Sequence, residues 1–415
     1  MAPTFQTCIH LIFLGTTLFS TAPIHRRFVQ ASSPSIQALV APITKDTETS
    51  LYTLSLSRKQ YLLDLSGPLL WSPCSAAHPT VPCSSGECAA ASGAPKFHNR
   101  RCTCTARPAN PVTGERAFGD LTRIDIATNA TDGKTPTAEV TVHGLLSSCA
   151  PESLLRSFPS SATGDAGLGR GRVSLPTQLF SKLSLKRQFA ICLPSTAAAP
   201  GVAFFGNGPY GLMPPTPFDA SAILSYTRLV KNPRNPSAYS IRLRGIAVNQ
   251  EAVRLPPGAL DRGGGVTLDT ALPYTVLRRD VYRPFVEAFA RATALIPRVP
   301  SARPFEVCFN SSALGFTRVG YAVAPVDLMT TTKARGGGGG NWTVFGSNSL
   351  AQVAPDTACL AFVDGGWAAP SAVAVGGFQM ENNLLLFDEA ASRLGFSGTL
   401  LFTRTTCANF NFSGN

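Results

Sequence analysis

The sequence contains few charged residues and, after its opening segment, no long hydrophobic run. Asp, Glu, Lys and Arg make up 14% of the 415 residues, whereas hydrophobic residues make up 44%. This composition excludes an intrinsically disordered chain, because it supplies enough apolar side chains to fill sizeable cores. No later segment reaches the roughly 18 apolar residues that a membrane-spanning helix needs. We therefore expect a soluble mature protein without a membrane span.

Acidic residues are the scarcer kind of charge, with 24 Asp and Glu against 36 Lys and Arg, for a formal net charge of +12. The basic residues are nevertheless scattered singly or in pairs, as at Arg100-Arg101 and Arg278-Arg279. A nucleic-acid interface requires a dense basic face with interleaved aromatic residues, so we exclude nucleic acid as a partner. We interpret the charge as a source of solubility and of weak attraction to acidic cell-wall polysaccharide or an acidic protein.

The cysteine pattern lacks the spacing of a metal site. Cys102 and Cys104 form a CxC pair without a nearby His or further CxxC spacing, so zinc is a poor alternative and we expect neither metal nor cofactor. The apolar stretch Ile9 to Phe19, followed by small residues, predicts a signal peptide over residues 1–24. If Cys8 leaves with that peptide, an even number of cysteines remains for up to five disulfides in an oxidising compartment. The remaining residues are Cys74, Cys83, Cys88, Cys102, Cys104, Cys149, Cys192, Cys308, Cys359 and Cys407.

Four acceptor sequences for N-glycosylation agree with an extracellular location. Each has the form Asn-x-Ser/Thr. They begin at Asn129, Asn310, Asn341 and Asn411. Together with the cysteines, these sequences predict a secreted glycoprotein.

Short segments rich in Val, Ile, Leu and Phe, bounded by Gly, Pro, Asn or Asp, predict an all-β protein. Two helices are the exceptions, one around residues 173–183 and one over 278–296, where Val281, Phe285 and Phe289 recur at helical spacing.

The chain length suits two lobes. We place the break where Gly and Pro cluster, over residues 207–223, and expect lobes at 36–206 and 218–410. The run of glycines at 336–340 predicts a mobile loop, and the GxGxxG match at 206–211 is attributed to chance because prolines follow it.

A weak internal repeat relates the two halves. In the segments LLDLSG and TLDTAL an apolar strand ends in Asp64 and in Asp269, 205 positions later, and small residues follow each Asp. Downstream, each half has a second apolar segment with glycines, AGLG at 166–169 and AVGG at 374–377. The duplication predicts two similar β lobes that each contribute one Asp to a shared cleft.

On these residues the chain resembles the pepsin-like aspartic proteases, with Asp64 and Asp269 at the positions of the two catalytic aspartates. It is most similar to the plant branch of xylanase inhibitors, extracellular dermal glycoproteins and basic 7S globulins. The resemblance implies a bilobal double β-barrel fold with a few short helices, and it covers nearly everything after residue 36. The segments that carry it include LDLSGPLLW, VPCSSGEC, CTARPANPVTGE, NATDG, CAPESLL, GVTLDTALPYTVLRRDVYRP and GGFQMENNLLLFDEAASRLGFS.

The resemblance also shows what this chain has lost. In active relatives each catalytic Asp is followed by Thr or Ser and then Gly, whereas here the loops read Asp64-Leu65-Ser66 and Asp269-Thr270-Ala271. Leu65 removes a bridging hydroxyl, and Ser66 and Ala271 place a Cβ where glycines let the backbone approach the carboxylates. We expect proteolysis to be lost, with residual aspartic endopeptidase activity as the alternative.

Two further differences lie in the first half. The segment that corresponds to the flap has Arg107, Pro108 and Ala109 and no tyrosine, and Arg116 stands where relatives have a cysteine. The resemblance implies the loss of one whole disulfide there, and a bridge between Cys308 and Cys359 in the C-terminal lobe.

The similarity to xylanase inhibitors implies a proteinaceous inhibitor of microbial cell-wall-degrading glycoside hydrolases, acting in plant defence in the apoplast or cell wall. In those relatives a histidine before the last cysteine enters the active site of the hydrolase; here Leu401 occupies that position. We take Leu401, Phe402, Arg404 and Leu314 as candidate partner-binding residues, with loop packing as the alternative for Leu314. We expect a monomer. A storage or peptide-binding glycoprotein is a further alternative.

Overall fold

Short strands are the main regular element of the structure and helices are few, as the sequence predicts. The computed structural model describes residues 36–98, 101–213, 218–333 and 339–413, and residues 36–415 form one unit. The predicted signal peptide and residues 334–338 of the glycine-rich segment lie outside the described residues, whereas Gly339 and Gly340 begin a strand. None of the helices within the described ranges is long and apolar enough to cross a membrane.

Most strands of the first half are buried over much of their length, whereas the strand Ala94–His98 is exposed throughout. The strands of this half are β1 (Ala38–Lys45), β2 (Tyr52–Leu56), β3 (Lys59–Asp64), β4 (Leu70–Ser72), β5 (Ala94–His98), β6 (Arg101–Ala106), β7 (Gly119–Thr131), β8 (Pro136–Cys149), β9 (Ala162–Gly167), β10 (Gln188–Cys192), β11 (Gly201–Gly206) and β12 (Gly211–Leu212).

The strands of the second half are shorter and more numerous. They are β13 (Phe218–Asp219), β14 (Ser225–Arg228), β15 (Ser240–Ile241), β16 (Leu243–Val248), β17 (Glu251–Ala252), β18 (Val266–Leu268), β19 (Thr275–Leu277), β20 (Arg298–Val299), β21 (Cys308–Asn310), β22 (Phe316–Thr317), β23 (Gly320–Tyr321), β24 (Val326–Lys333), β25 (Gly339–Val344), β26 (Leu350–Ala354), β27 (Thr357–Leu360), β28 (Phe362–Asp364), β29 (Val373–Val375), β30 (Leu384–Asp388) and β31 (Arg393–Phe396).

Both predicted helices are present. The α-helices are α1 (Gly86–Ala90), α2 (Leu175–Leu183), α3 (Arg279–Ala292), α4 (Gly346–Ser349) and α5 (Gly377–Met380). In α3 the predicted apolar positions Val281, Phe285 and Phe289 are buried. Short 3-10 turns lie at Glu152–Leu155, Ala220–Ile223, Arg262–Gly264, Ser311–Ala313, Leu400–Thr403 and Cys407–Asn409.

One sheet extends through the first half and into the second. Its strand order is β14-β31-β30-β10-β11-β1-β2-β3-β9-β4-β8-β7-β6-β5. Strands β10 and β30 pair antiparallel, with Gln188 opposite Asp388 and Cys192 opposite Leu384. Residues far apart in the sequence therefore share one hydrogen-bonded sheet. The lobe limits of 36–206 and 218–410 stay predictions.

The remaining sheets belong to the second half or to the link between the halves. Their orders are β15-β18-β29-β19-β28, β17-β16-β24-β25, β20-β21-β27-β26, β22-β23 and β12-β13.

The repeated segments occupy equivalent positions in the two halves. Strand β3 runs parallel to β9, with Asp64 opposite Gly167, and β18 runs parallel to β29, with Leu268 opposite Val375. A backbone hydrogen bond continues each strand pairing at the aspartate. In the first half the Leu168 amide donates to the Asp64 carbonyl (2.7 Å), and in the second the Asp269 amide donates to the Val375 carbonyl (2.9 Å). The internal repeat read from the sequence thus corresponds to a repeated strand pairing.

The ten cysteines within the described residues form five disulfides, so the zinc alternative for Cys102 and Cys104 is wrong. The bridge expected between Cys308 and Cys359 is present. The other pairs are Cys74–Cys149, Cys83–Cys102, Cys88–Cys104 and Cys192–Cys407. Cys192–Cys407 connects positions 215 residues apart and ties the end of the chain to strand β10.

Candidate functional site

Asp64 lies buried at the end of strand β3, where it is 3% exposed. The backbone N–H and the hydroxyl of Ser66 both donate to its Oδ1, at 2.7 and 2.8 Å. Ser66, which replaces a glycine of active relatives, therefore hydrogen-bonds the carboxylate from the side. Burial of a carboxylate at the end of an apolar strand is costly unless it is hydrogen-bonded, and here the loop that follows supplies those bonds.

Asp269 follows strand β18 and is partly exposed. Its Oδ1 accepts a hydrogen bond from the Ala271 N–H at 3.0 Å. Because Ala271 has no hydroxyl, the second loop offers its carboxylate fewer donors than the first.

Thr270 joins the two loops. Its Oγ1 accepts a hydrogen bond from the Leu65 N–H at 3.1 Å and donates one to the Leu63 carbonyl at 2.5 Å. The reciprocal bridge cannot form, because Leu65 has no hydroxyl and is fully buried in the core. The structure therefore brings the two loops together with one of the two bridges.

The pKa values of both carboxyls are raised, and the charge of Asp64 contributes to the shift of Asp269. Loss of water around Asp64 raises its pKa, and the hydrogen bonds from Ser66 and Gly67 oppose that effect. Burial, and then the charge of Asp64, raise the pKa of Asp269 to about 7. Below that pH the pair retains a proton on Asp269.

A third carboxyl, Asp165, adjoins this pair and was missed from the sequence. It lies in strand β9 opposite Leu62 and is 1% exposed. Burial, followed by the charge of Asp64, raises the pKa of Asp165 well above the usual range, so folding favours its protonated form. Its Oδ1 has no hydrogen-bond partner within the described residues. The sequence feature that could have revealed Asp165 is its position in the segment TGDAG, directly before the glycine segment of the repeat.

Gly67 fits between these acids because it has no side chain. A Cβ at this position would lie 2.6 Å from Asp64 Oδ2, 2.9 Å from the Gly167 Cα and 3.1 Å from Asp165 Oδ2. The chain therefore needs glycine at position 67 to pack Asp64 against Asp165.

The segment that corresponds to the flap is fastened to the body. The indole N–H of Trp71 donates to the Ala109 carbonyl at 3.1 Å, and the Asn110 amide donates to the Leu154 and Arg156 carbonyls at 2.8 and 2.7 Å. The exposed Arg107 lies over the ring of Phe118 at 5.0 Å.

The candidate partner-binding residues lie in two loops that meet at one groove, which we call the contact groove. It has a volume of 460 Å³ and includes Leu401, Phe316, Arg318, Tyr321 and Gln352 in its lining. The loop after Cys308 supplies residues 316–321, and the loop before Cys407 supplies Leu401. The structure thus brings together loops that are about 80 residues apart in sequence.

Individual side chains of these loops differ in exposure. Leu314 is half-buried and packs against the core, which agrees with the loop-packing alternative. Phe316, two residues later, is 77% exposed and was missed. Phe402 is 57% exposed and touches Phe345 edge-on, and Arg404 is exposed in a left-handed conformation.

A buried ion pair underlies the contact groove. Glu381 accepts hydrogen bonds from Lys45 Nζ at 2.5 Å and from the Tyr52 hydroxyl at 2.6 Å. Burial raises the pKa of Glu381 to about 7, although Lys45 and Tyr52 act in the opposite direction. All three residues line the groove, and Lys45 and Glu381 are 336 positions apart in sequence, so sequence patterns could not pair them.

The glycosylation sequences differ in accessibility. Asn341 is exposed on strand β25, whereas Asn129, Asn310 and Asn411 are half-buried. Asn310 already accepts a hydrogen bond from the Ser312 N–H at 3.0 Å. Glycosylation of these asparagines stays a prediction.

One group of potential metal ligands occurs in the described part of the chain, formed by Cys74, His78 and Cys149. Its two cysteines are joined in a disulfide, so they cannot supply thiolates to a metal ion.

Comparison with known proteins agrees with this architecture. The family model for the xylanase inhibitor N-terminal domain matches residues 55–207, and that for the C-terminal domain matches residues 238–398. Chitinase CLP from Oryza sativa subsp. japonica is 47% identical over an alignment of 399 positions, which covers 90% of this chain and 91% of that protein. Probable aspartic proteinase GIP2 from Nicotiana benthamiana is 36% identical, with 98% of each chain covered.

The crystal structure of edgp has a TM-score of 0.85 at 35% identity and covers 92% of this chain and all of that one. The expected pepsin-like, bilobal fold is therefore confirmed. By both family matches and by these relatives, the chain belongs to the xylanase-inhibitor family of aspartic-protease-like proteins.

Proposed function

We propose that this protein is a secreted inhibitor of microbial cell-wall-degrading glycoside hydrolases and has no proteolytic activity of its own. The observation that carries the proposal is the contact groove, where two loops expose apolar side chains beside cationic ones. Five disulfides support an oxidising extracellular location, such as the apoplast.

The geometry around the two aspartates supports the absence of proteolysis. An aspartic protease holds both carboxyls with matched donors so that they share a proton and activate one water. Here the loops share a single bridge through Thr270, and Ser66 binds Asp64 Oδ1. Catalytic groups must be positioned to about half an ångström, so an asymmetric support of this kind should reduce turnover by orders of magnitude.

The contact groove has the composition of a protein-binding surface. Exposed aromatic side chains that can enter a partner's cleft contribute most to binding energy at interfaces. Phe316 lines the groove, and Phe402 is an exposed aromatic residue next to the lining residue Leu401. Arg318 lines the groove and Arg404 lies exposed in the second loop. A glycoside hydrolase has two active-site carboxylates, to which either arginine can donate charge-assisted hydrogen bonds. Leu401, in contrast, cannot pair with a carboxylate.

The test is a titration of the purified protein against glycoside hydrolases of families 10, 11 and 12. We expect wild type to inhibit at least one of them, and Leu401→His to widen or strengthen inhibition. Phe316→Ala should weaken it by about tenfold or more, as for a central interface residue. Phe97→Ala is the matched control, because Phe97 is 78% exposed on strand β5, whereas Phe316 is 77% exposed.

Three results would contradict the inhibitor proposal. The first is the absence of inhibition by both wild type and Leu401→His, which favours a storage or peptide-binding glycoprotein. The second is an equal effect of Phe316→Ala and Phe97→Ala. The third is hydrolysis of chitin by the protein alone, measured because the rice relative is named a chitinase.

Residual aspartic endopeptidase activity is the second candidate, favoured by the retention of both aspartates and by the raised pKa of Asp269. Its test is cleavage of denatured globin at acid pH with pepstatin as control. Pepstatin-sensitive cleavage that disappears in Asp64→Asn would establish it.

A further inference from the structure

A second cavity, of 660 Å³, is lined by basic residues from several parts of the chain. We call it the basic cavity, and it shares no lining residue with the contact groove. The side chains relevant to its chemistry are Arg170, Arg172, Thr177, Arg187, Lys231 and Glu389.

Glu389 is the acid among the lining residues, and both of its oxygens are occupied. The Tyr239 hydroxyl donates to Oε1 at 2.7 Å, and Arg187 Nη2 donates to Oε2 at 3.3 Å. The side chain of Glu389 is 8% exposed, so it lies in the wall of the cavity. One carboxylate therefore faces four cationic side chains, and most of their charge is uncompensated.

The cations differ in how firmly they are held. Arg170 is half-buried, and its Nη1 donates to the Val230 carbonyl at 3.4 Å. Arg172 and Lys231 are exposed, and neither has an ion-pair partner in the part of the chain that the structure describes. Two cations from distant segments are thus free to bind a ligand in the cavity.

Neutral groups beside the cations can contact hydroxyls. Thr177 lies in the first turn of helix α2, and its Oγ1 accepts a hydrogen bond from the Ser174 hydroxyl at 3.0 Å. The Ser174 hydroxyl has one proton and also contacts the Gly171 carbonyl at 3.2 Å, so in either arrangement Thr177 Oγ1 retains a lone pair that can accept a hydrogen bond from a ligand hydroxyl. The amino end of α2 adds positive potential on the same side.

We propose that the basic cavity binds an acidic oligosaccharide built from uronic acids. Several carboxylates spaced along a sugar chain match cations that come from separate segments, and a guanidinium group pairs with a carboxylate through two parallel hydrogen bonds. Sugar hydroxyls can contact Thr177. The volume lies within the range of about 300 to 1,000 Å³ that is typical of small-ligand sites and exceeds what one inorganic anion fills. This site goes beyond hydrolase inhibition and does not depend on it.

The experiment is isothermal titration calorimetry of the full-length secreted protein with an oligogalacturonate of defined length. We expect saturable one-to-one binding that weakens as salt is raised from about 0.02 to 0.15 M, because the Debye length shortens. Arg172→Ala and Lys231→Ala should each raise the Kd by about three- to tenfold, the range for one charge-assisted contact. Arg172→Lys should have an intermediate effect, because it retains the charge but not the planar fork.

Arg254→Ala is the matched control, since Arg254 is an equally charged, exposed residue that does not line the cavity. Its Kd should equal that of wild type. The methyl-esterified oligosaccharide, which has no carboxylate charge, should not bind. Thermal unfolding of each variant verifies that the fold is retained.

Three outcomes would overturn the proposal. One is an effect of Arg254→Ala as large as that of Arg172→Ala, which indicates attraction to the whole charged surface. Another is equal binding of the methyl ester. The third is displacement of the oligogalacturonate by inorganic phosphate at equal concentration, which indicates a small-anion site. Hydrolase inhibition should be unchanged in Arg172→Ala, so failure of either proposal is recognised separately.

Discussion

Replacing Thr270 by valine should destabilise the protein by about 2 to 6 kcal/mol. The substitution removes the hydroxyl that joins the two aspartate loops and retains the side-chain volume, so no cavity forms. Thr270, Leu63 and Leu65 are all fully buried. Water therefore cannot replace the hydroxyl for either of its partners.

The magnitude follows from the two groups that lose their partner. The Leu65 N–H donates to Thr270 Oγ1 at 3.1 Å, and the Leu63 carbonyl accepts from it at 2.5 Å. A buried backbone group without a hydrogen bond costs about 1 to 3 kcal/mol. Thr270→Ser retains the hydroxyl and loses one methyl group, so it should cost only about 1 kcal/mol.

The assay is equilibrium unfolding in urea with the disulfides intact, comparing wild type with both variants at pH 6. The reasoning would be refuted if the free energy of unfolding of Thr270→Val lay within about 0.5 kcal/mol of that of wild type. It would also be refuted if Thr270→Val were no less stable than Thr270→Ser. In that case the two loops would be held together by packing alone.

Three further predictions concern stability. Folding raises the pKa of Asp269 from about 4 to about 7. The contribution of its protonated carboxyl to stability is therefore fully present below pH 4 and is lost as the pH rises towards 7. Asp269→Asn should gain stability relative to wild type over that range in urea unfolding, and a difference that does not change with pH would contradict this. Folding also raises the pKa of Glu381 to about 7, so Glu381→Gln should likewise gain stability relative to wild type in urea unfolding as the pH rises from about 5 to about 8, whereas an effect of the same size throughout that range would rule this out. Replacing Cys192 and Cys407 together by alanine opens a connection of 215 residues and should cost about 2 to 5 kcal/mol; an unchanged urea midpoint would disprove it.

The repeat and both long helices could be predicted because their signals are local. An apolar segment that ends in Asp64 or Asp269 predicts a buried strand and the acid after it, and the glycine segments mark the strands that run parallel to them. In α3, helical spacing of Val281, Phe285 and Phe289 predicted the buried face. The strand pairs β3–β9 and β18–β29 then follow from the duplication.

Features that depend on long-range contacts could not be predicted in this way. Asp165 is placed beside Asp64 by the parallel register of β9 against β3, and no local pattern specifies that register. The Glu381–Lys45 pair joins positions near opposite ends of the chain. The resemblance implies a contact at Leu314 and gives no role to Phe316. Which side chain of that loop can contact a partner depends on its exposure, and exposure is set by the folded structure.

The pairing of β10 with β30 has a consequence for biosynthesis. Residues 188–192 occupy the middle of a sheet whose neighbouring strand is formed by residues 384–388. While the ribosome is still producing the second half, β10 therefore has an open edge that could pair with another chain. A nascent chain that stops before residue 384 should aggregate or require a chaperone, and the first half should not be obtained as a stable fragment.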